Sequence, residues 1–133
     1  MRVPSMAAAT VPKLTVVVRK GYGAGYYVMA GRAYEPDLLV AWPGAEISVM
    51  GAEGMVGIAG KKLFGAEVPP PEVKQQIVEG LQKSIDVYRV AGWGLVDDVI
   101  DPRETRRVLA RALELTTGRV VERPAKRRGI LPV

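Results

Sequence analysis

The chain has 133 residues, of which 48% are apolar and 25% charged, with a formal net charge of +5. That is ordinary composition for one globular domain, and no apolar run approaches the ~20 residues needed to span a bilayer. It contains no Cys and no His, which excludes thiol catalysis, disulfides, Ser-His-Asp triads and ordinary zinc sites. Carboxylates, Lys, Arg, Tyr and oriented peptide N–H groups remain as tools for chemistry.

Residues 1–10 carry one Arg and an alanine run without a leucine-rich core, and read as a leader rather than a signal peptide. Leu14 to Val18, entered after Pro12, is an apolar run of the kind found in a strand buried on both faces. Gly21, Gly23 and Gly25 break that pattern, and Ala24 to Ala30 suits a short buried helix. Leu38 to Ala41 reads as a second strand closed by Trp42-Pro43-Gly44, and Ile47 to Met50 as a third. A small-residue helix is expected from Ala52 to about Ala59, with Pro69-Pro70-Pro71 ending that part of the chain.

Val73, Ile77, Leu81, Ile85 and Tyr88 recur at helical spacing and predict one amphipathic helix closed near Gly92. Leu95 to Ile100 reads as a last strand. Its Asp97 and Asp98 are adjacent, so they point to opposite faces and form no paired-carboxylate site. Asp101, Pro102 and Glu104 make a capping-box arrangement. Thr105, Leu109, Ala112, Leu113 and Thr116 then line one helical face up to Gly118. Arg103, Arg106 and Arg107 read as a solvated face, and Trp42 as a strand end packed in the core. Residues 119–133 read as an extended basic tail containing Arg119, Arg123, Lys126, Arg127 and Arg128. Without a zinc finger, an RNP-like strand or an aromatic series beside it, this charge does not predict nucleic-acid binding. Alternation of strands and helices predicts a mixed α/β layer structure.

The segment Arg19-Lys20-Gly21-Tyr22-Gly23-Ala24-Gly25 joins a strand to a helix. Glycine lets a backbone turn sharply and approach a ligand closely. The first N–H groups of a helix lack intrahelical acceptors and can hold developing negative charge. An oxyanion hole and a plain tight turn both fit. The G-x-G-x-G spacing is not the dinucleotide fingerprint G-x-G-x-x-G, and no G-K-[ST] follows to make a P-loop.

Four ordered blocks carry a resemblance. Val11 to Val16 leading into Arg19-Lys20-Gly21-Tyr22-Gly23-Ala24-Gly25-Tyr26, then Ala41-Trp42-Pro43-Gly44-Ala45-Glu46-Ile47-Ser48-Val49-Met50-Gly51-Ala52-Glu53-Gly54, then Val96 to Arg106, then Pro124 to Pro132 together resemble the carboxyltransferase β subunits of biotin-dependent acyl-CoA carboxylases and the related acyl-CoA decarboxylase α subunits. The last block lacks the family's usual Asn.

The resemblance implies a crotonase-like (ClpP-like) fold of ββα units. It covers residues 1–133 as the later half of the biotin-side, C-terminal domain and does not extend to the acyl-CoA domain. It implies carboxyl transfer between carboxybiotin, carried on a partner biotin carboxyl carrier protein, and a CoA thioester. Backbone N–H groups of Ala24 and Gly25 would form the biotin-side oxyanion hole, with the family's Gly-Ala pair swapped here. Gly23, Tyr26 and Tyr27 would contact substrate or biotin, Tyr27 alternatively serving core packing. No metal is implied. The short apolar runs and the lack of a signal-peptide core read as a cytoplasmic protein, and the resemblance further implies that it forms homo-oligomers or pairs with a separate acyl-CoA-domain subunit. A non-catalytic remnant or assembly module is the other expectation.

Overall fold

The computed structural model describes residues 6, 9–63 and 71–120, with residues 59–63 as backbone only. Most of the expected leader, the Pro69-Pro70 stop, and the tail and final motif block from residue 121 lie outside the described residues. Pairing of short strands builds the scaffold. Strand β1 (Leu14–Val17), strand β3 (Leu38–Ala41) and strand β5 (Asp98–Val99) form one parallel sheet in the order β1-β3-β5. Leu14 pairs with Leu38 and Val17 with Ala41, while Val40 pairs with Asp98. Strand β2 (Lys20–Tyr22) and strand β4 (Glu46–Ser48) form a second, two-stranded parallel sheet, with Gly21 opposite Ile47.

Helix α1 (Gly23–Val28) follows β2, and helix α2 (Ala52–Leu63) follows β4. The chain thus runs through two successive ββα units, each placing one strand in either sheet before its helix. This repetition escapes a sequence comparison because each strand is only three or four residues long.

Helix α3 (Pro71–Ile85) packs against α2 and leads into helix α4 (Val87–Gly92). Helix α5 (Thr105–Thr116) closes the described chain. β3 is the middle strand, and its Leu39, Val40 and Ala41 are fully buried, as a parallel strand covered on both faces must be. Leu39 and Ala41 join Val17, Ala45, Ile47, Val87, Val90 and Val96 in the core, with the Tyr26 ring against its edge.

Several sequence expectations change. The first strand stops at Val17, Val18 is exposed, and β1 is mostly half-buried rather than covered on both faces. The third strand starts at Glu46 and ends at Ser48, and α2 runs on to Leu63. The single stripe from Val73 to Tyr88 is two helices. Asp86 turns extended (φ −60°, ψ 138°), bridges to Glu46, and its carboxylate accepts the Tyr88 N–H at 2.9 Å as an N-cap. The break shifts the helical phase, so Val87 and Val90 enter the core while Tyr88 is exposed. Trp93, not Gly92, caps α4. The Leu95 to Ile100 strand contracts to Asp98–Val99.

Asp101 caps the next turn by accepting the Arg103 N–H at 2.8 Å, with Pro102 at its first position. The reciprocal half of the capping box is not made, because the Glu104 carboxylate accepts from Arg107 instead. On α5, Thr105, Leu109, Ala112 and Thr116 are half-buried but Leu113 is exposed. Trp42 is half-buried, and its indole N–H donates to Thr105 Oγ1 at 2.9 Å. Arg103 and Arg107 are exposed but paired, with Asp101 and Glu104. Arg119, first of the basic tail, pairs with Asp37 at 2.8 Å.

Candidate active site

The glycine-rich segment, read as a turn that could be an oxyanion hole or a plain tight turn, is a strand followed at once by a helix. Lys20, Gly21 and Tyr22 pair with β4, and the chain then reverses into α1 within one residue. Tyr22 is extended (φ −111°, ψ 136°), and Gly23 adopts φ +51°. A Cβ at Gly23 would come within 2.8 Å of the Val49 carbonyl oxygen. Both the left-handed dihedral and the missing side chain are therefore required here.

The reversal leaves the first N–H groups of α1 pointing out of the helix start, where helix geometry supplies no acceptor. Tyr22 provides no side-chain cap. Among the described residues, no side chain or loop carbonyl accepts from the N–H of Ala24 or Gly25. Both residues are exposed. A Cβ built on Gly25 meets nothing within 4 Å, so neither packing nor dihedral demands glycine there. Gly25 lines a cavity of about 500 Å³ together with Val17, Lys20, Gly21, Tyr22 and Tyr26.

α1 was expected to be buried, but it holds no buried residue; Tyr27 is 51% exposed and Met29 60%. Tyr26 is half-buried against the core edge, and its hydroxyl accepts the Arg32 N–H at 3.1 Å. The Tyr26 and Tyr27 rings meet edge-to-face, with centroids 5.9 Å apart and planes at 71°. Both border a second, mainly apolar cavity of about 600 Å³ that also touches Ile47, Val49, Trp93 and Arg32. The five residues singled out from sequence thus divide by position. Gly23 is the pivot, Ala24 and Gly25 offer adjacent uncapped amides, and Tyr26 and Tyr27 wall the neighbouring cavity.

The Tyr22 hydroxyl on the Gly25 cavity donates to the Glu46 carboxylate. Burial and this bond push its pKa up to about 12, so the phenol stays protonated near neutral pH and cannot serve there as a general base. Arg19 and Lys20 bring positive charge to the same cavity. Among the described residues, no cluster of three or more carboxylates gathers that could hold a metal ion. What the arrangement offers is donation to an oxygen that gains charge, beside cations that favour an anionic ligand.

Two residues escaped the sequence reading as partners. Asp97 Oδ1 accepts from Arg32 Nη2 at 2.5 Å, while Oδ2 accepts the Leu39 N–H at 2.7 Å. Among the described residues Asp98 accepts from its own neighbour, the Val99 N–H, so the two carboxylates engage different partners. The available signal was a charged residue inside an otherwise apolar run, which asks for a partner.

Comparison with known proteins gives a consistent picture. The family model described as the carboxyl transferase domain matches residues 1–131. The methylmalonyl-CoA carboxyltransferase 12S subunit of Propionibacterium freudenreichii subsp. shermanii is 45% identical over 93% of this chain and 24% of its own length. The methylmalonyl-CoA decarboxylase subunit alpha of Propionigenium modestum is 39% identical over 94% of this chain and 24% of its own length. A crystal structure of the transcarboxylase 12S hexamer, with methylmalonyl-coenzyme A and methylmalonic acid bound, superposes with a TM-score of 0.88 at 42% identity. That match covers 98% of this chain and 25% of the other. The chain therefore spans about a quarter of the length of the curated relatives it matches. The fold is a mixed α/β portion of the crotonase-like carboxyltransferase architecture.

Proposed function

This chain belongs to the carboxyl transferase domain family, and we propose that it forms the later half of a biotin-side domain that moves a carboxyl group between carboxybiotin and an acyl-CoA. The observation that carries the reading is the start of α1. Ala24 and Gly25 are exposed, and among the described residues no side-chain cap or loop carbonyl accepts from their two adjacent peptide N–H groups. Gly25 opens on a cavity with no packing demand on its own side. A carbonyl oxygen can approach such amides closely, and donors fixed before the reaction stabilise charge without reorganising.

Carboxybiotin, delivered on a carrier protein, supplies the carboxyl group when bound. The residues of this chain hold and orient it. In this reading Ala24 and Gly25 donate to its carbonyl oxygen, Gly23 lets the backbone come close, and Tyr26 and Tyr27 shape the pocket beside it. Tyr22, kept protonated, leaves the amides as the donors and takes no proton. The exposed apolar residues Tyr27, Met29, Val49 and Trp93 support a neighbouring copy or an acyl-CoA-domain subunit covering this face. Among the described residues no helix is long and apolar enough to cross a membrane, and a cytoplasmic setting is part of the proposal.

The experiment is label transfer from carboxyl-labelled methylmalonyl-CoA or malonyl-CoA to biocytin, using the protein with the chains that purify with it. Ala24→Pro removes one N–H in the first helical turn, where proline is tolerated. Turnover should fall ~10²–10³-fold, whereas Ala24→Gly, which keeps the donor, should retain it. Binding without any label transfer in the unmutated assembly would favour an assembly module instead.

A further inference from the structure

We propose that Arg32 is a positioning residue which, through its ion pair with Asp97, sets the direction of α1 and hence of the Ala24 and Gly25 N–H groups; the functional half of this inference rests on the oxyanion reading above. A six-residue helix cannot hold itself together in water, and α1 buries none of its own residues. Its direction must come from tethers. At its start it is fixed by the Gly23 reversal under Val49. At its far end Thr15 of β1 holds the Ala30 carbonyl through its hydroxyl at 2.9 Å, and a second tether is a chain of polar contacts leading back to the most buried strand of the fold.

That chain begins at Leu39, which is fully buried in β3. Asp97 grips it twice, donating its own N–H to the Leu39 carbonyl at 2.7 Å and accepting the Leu39 N–H on Oδ2 at 2.7 Å. The remaining carboxylate oxygen, Oδ1, receives Arg32 Nη2 at 2.5 Å. Arg32 in turn donates its backbone N–H to the Tyr26 hydroxyl at 3.1 Å. Gly31 completes the clamp. A side chain there would lie 2.6 Å from the Tyr26 ring and 2.9 Å from its carbonyl oxygen, so this backbone presses directly on Tyr26. Tyr26 is the residue after Gly25. The path from rigid strand to proposed donor therefore runs through Asp97, Arg32 and Tyr26 without a gap.

The side chains of Arg32 and Asp97 are 32% and 38% exposed. A pair this accessible contributes little to global stability, so its removal tests placement more than folding. Placement matters because a misalignment of ~1 Å can cost ~10²-fold in rate.

The test compares Arg32→Met, Asp97→Asn, Arg32→Lys and the Met/Asn double variant in the full carboxyltransferase assembly. Asp97→Asn keeps an oxygen for the Leu39 N–H but sets an amide against the guanidinium. Each single loss should lower kcat about 10- to 100-fold with little change in KM, the pattern of a contact made only in the transition state. The double variant should be no worse than Arg32→Met alone, because Arg32→Met already removes the ion pair together with the longer Nε contact to the Leu95 carbonyl at 3.4 Å. Arg32→Lys should recover part of the rate, since a point charge still reaches Asp97.

Amide hydrogen exchange at the far end of α1, where Met29, Ala30 and Gly31 donate their N–H groups to the Gly25 and Tyr27 carbonyls, should quicken in Arg32→Met while β3 is unchanged. That readout does not depend on turnover. If the unmutated assembly transfers no carboxyl group, the oxyanion reading fails, and the exchange data alone decide whether the brace exists. Unchanged exchange in α1, quickened exchange throughout the fold, or an unaltered kcat in an active assembly would each overturn the inference.

Discussion

Gly23 and Gly25 stand two residues apart, and the same substitution should act on them in opposite directions. At Gly23 an alanine must adopt φ +51°, which costs an L-residue about 1–2 kcal/mol. Its Cβ would also lie 2.8 Å from the Val49 carbonyl oxygen. Backbone rather than a flexible side chain stands there, so β4 or α1 must shift, at a further cost of about 1–2 kcal/mol by analogy with overpacked cores. Gly23→Ala should therefore destabilise by about 2–4 kcal/mol, a fall in Tm on the order of 10 °C. At Gly25 the dihedral is ordinary and nothing lies within 4 Å of the added atom. Gly25→Ala should stabilise by up to about 1 kcal/mol through helix propensity. It keeps the peptide N–H, so carboxyl transfer should survive, whereas Gly23→Ala displaces the donors and should lose it. Thermal and urea unfolding, with label transfer measured on the same preparations, checks both. A Gly23→Ala protein within about 0.5 kcal/mol of the unmutated one, the range of an inconsequential surface change, would refute the reasoning. So would a Gly25→Ala protein destabilised as strongly as Gly23→Ala.

Leu39→Ala should cost about 2–5 kcal/mol, because a fully buried side chain in the middle strand leaves a cavity; chemical denaturation measures it. The Tyr22 phenolate should appear only near pH 12, seen as absorbance missing in Tyr22→Phe, and Glu46→Gln should bring it lower. Since the folded pKa lies above the ordinary value of 10.0, this contribution to stability is complete below about pH 10 and is lost as pH rises towards 12. Asp101 behaves in the opposite sense. The side chain and N–H of Arg103 hold its carboxyl below the usual range, so its stabilisation is present above the unfolded pKa of about 3.9 and lost as pH falls through the folded value. Asp101→Asn, which retains a capping oxygen but not the charge, should flatten the acid limb of the stability curve by lowering stability modestly at neutral pH and leaving low pH nearly unaffected.

What was legible in the sequence was what local chemistry decides. Leu38 to Ala41 reads as a buried strand because β-branched and apolar residues covered on both faces have few alternatives. Asp101-Pro102 announces its turn because a capping oxygen and a proline suit the two adjacent positions at a helix start. Gly23-Ala24-Gly25 was visible as a backbone-dependent feature, and resemblance gave it a role. Distant pairing decided the rest. Lys20-Gly21-Tyr22 has no strand signal of its own and becomes one only against Glu46-Ile47-Ser48. The apolar stripe through Ile85 ran on to Tyr88 because periodicity does not register a break. The bridge between Glu46 and Asp86 ends one helix, starts another and delivers Val87 to the core. Arg32 and Asp97 are 65 residues apart along the chain. Sequence could say that each charge needs a partner, and only the fold says which.

The central claim, that peptide hydrogens at the start of α1 carry the function, is tested most directly by deleting those hydrogens and nothing else. Replacing Ala24 by lactate, and separately Gly25 by glycolate, exchanges the amide N–H for an ester oxygen while leaving shape and side chain intact. With circular dichroism and assembly unchanged, the account predicts that carboxyl transfer to biocytin falls ~10²–10³-fold for each ester. Transfer at the unmodified rate in both would contradict it.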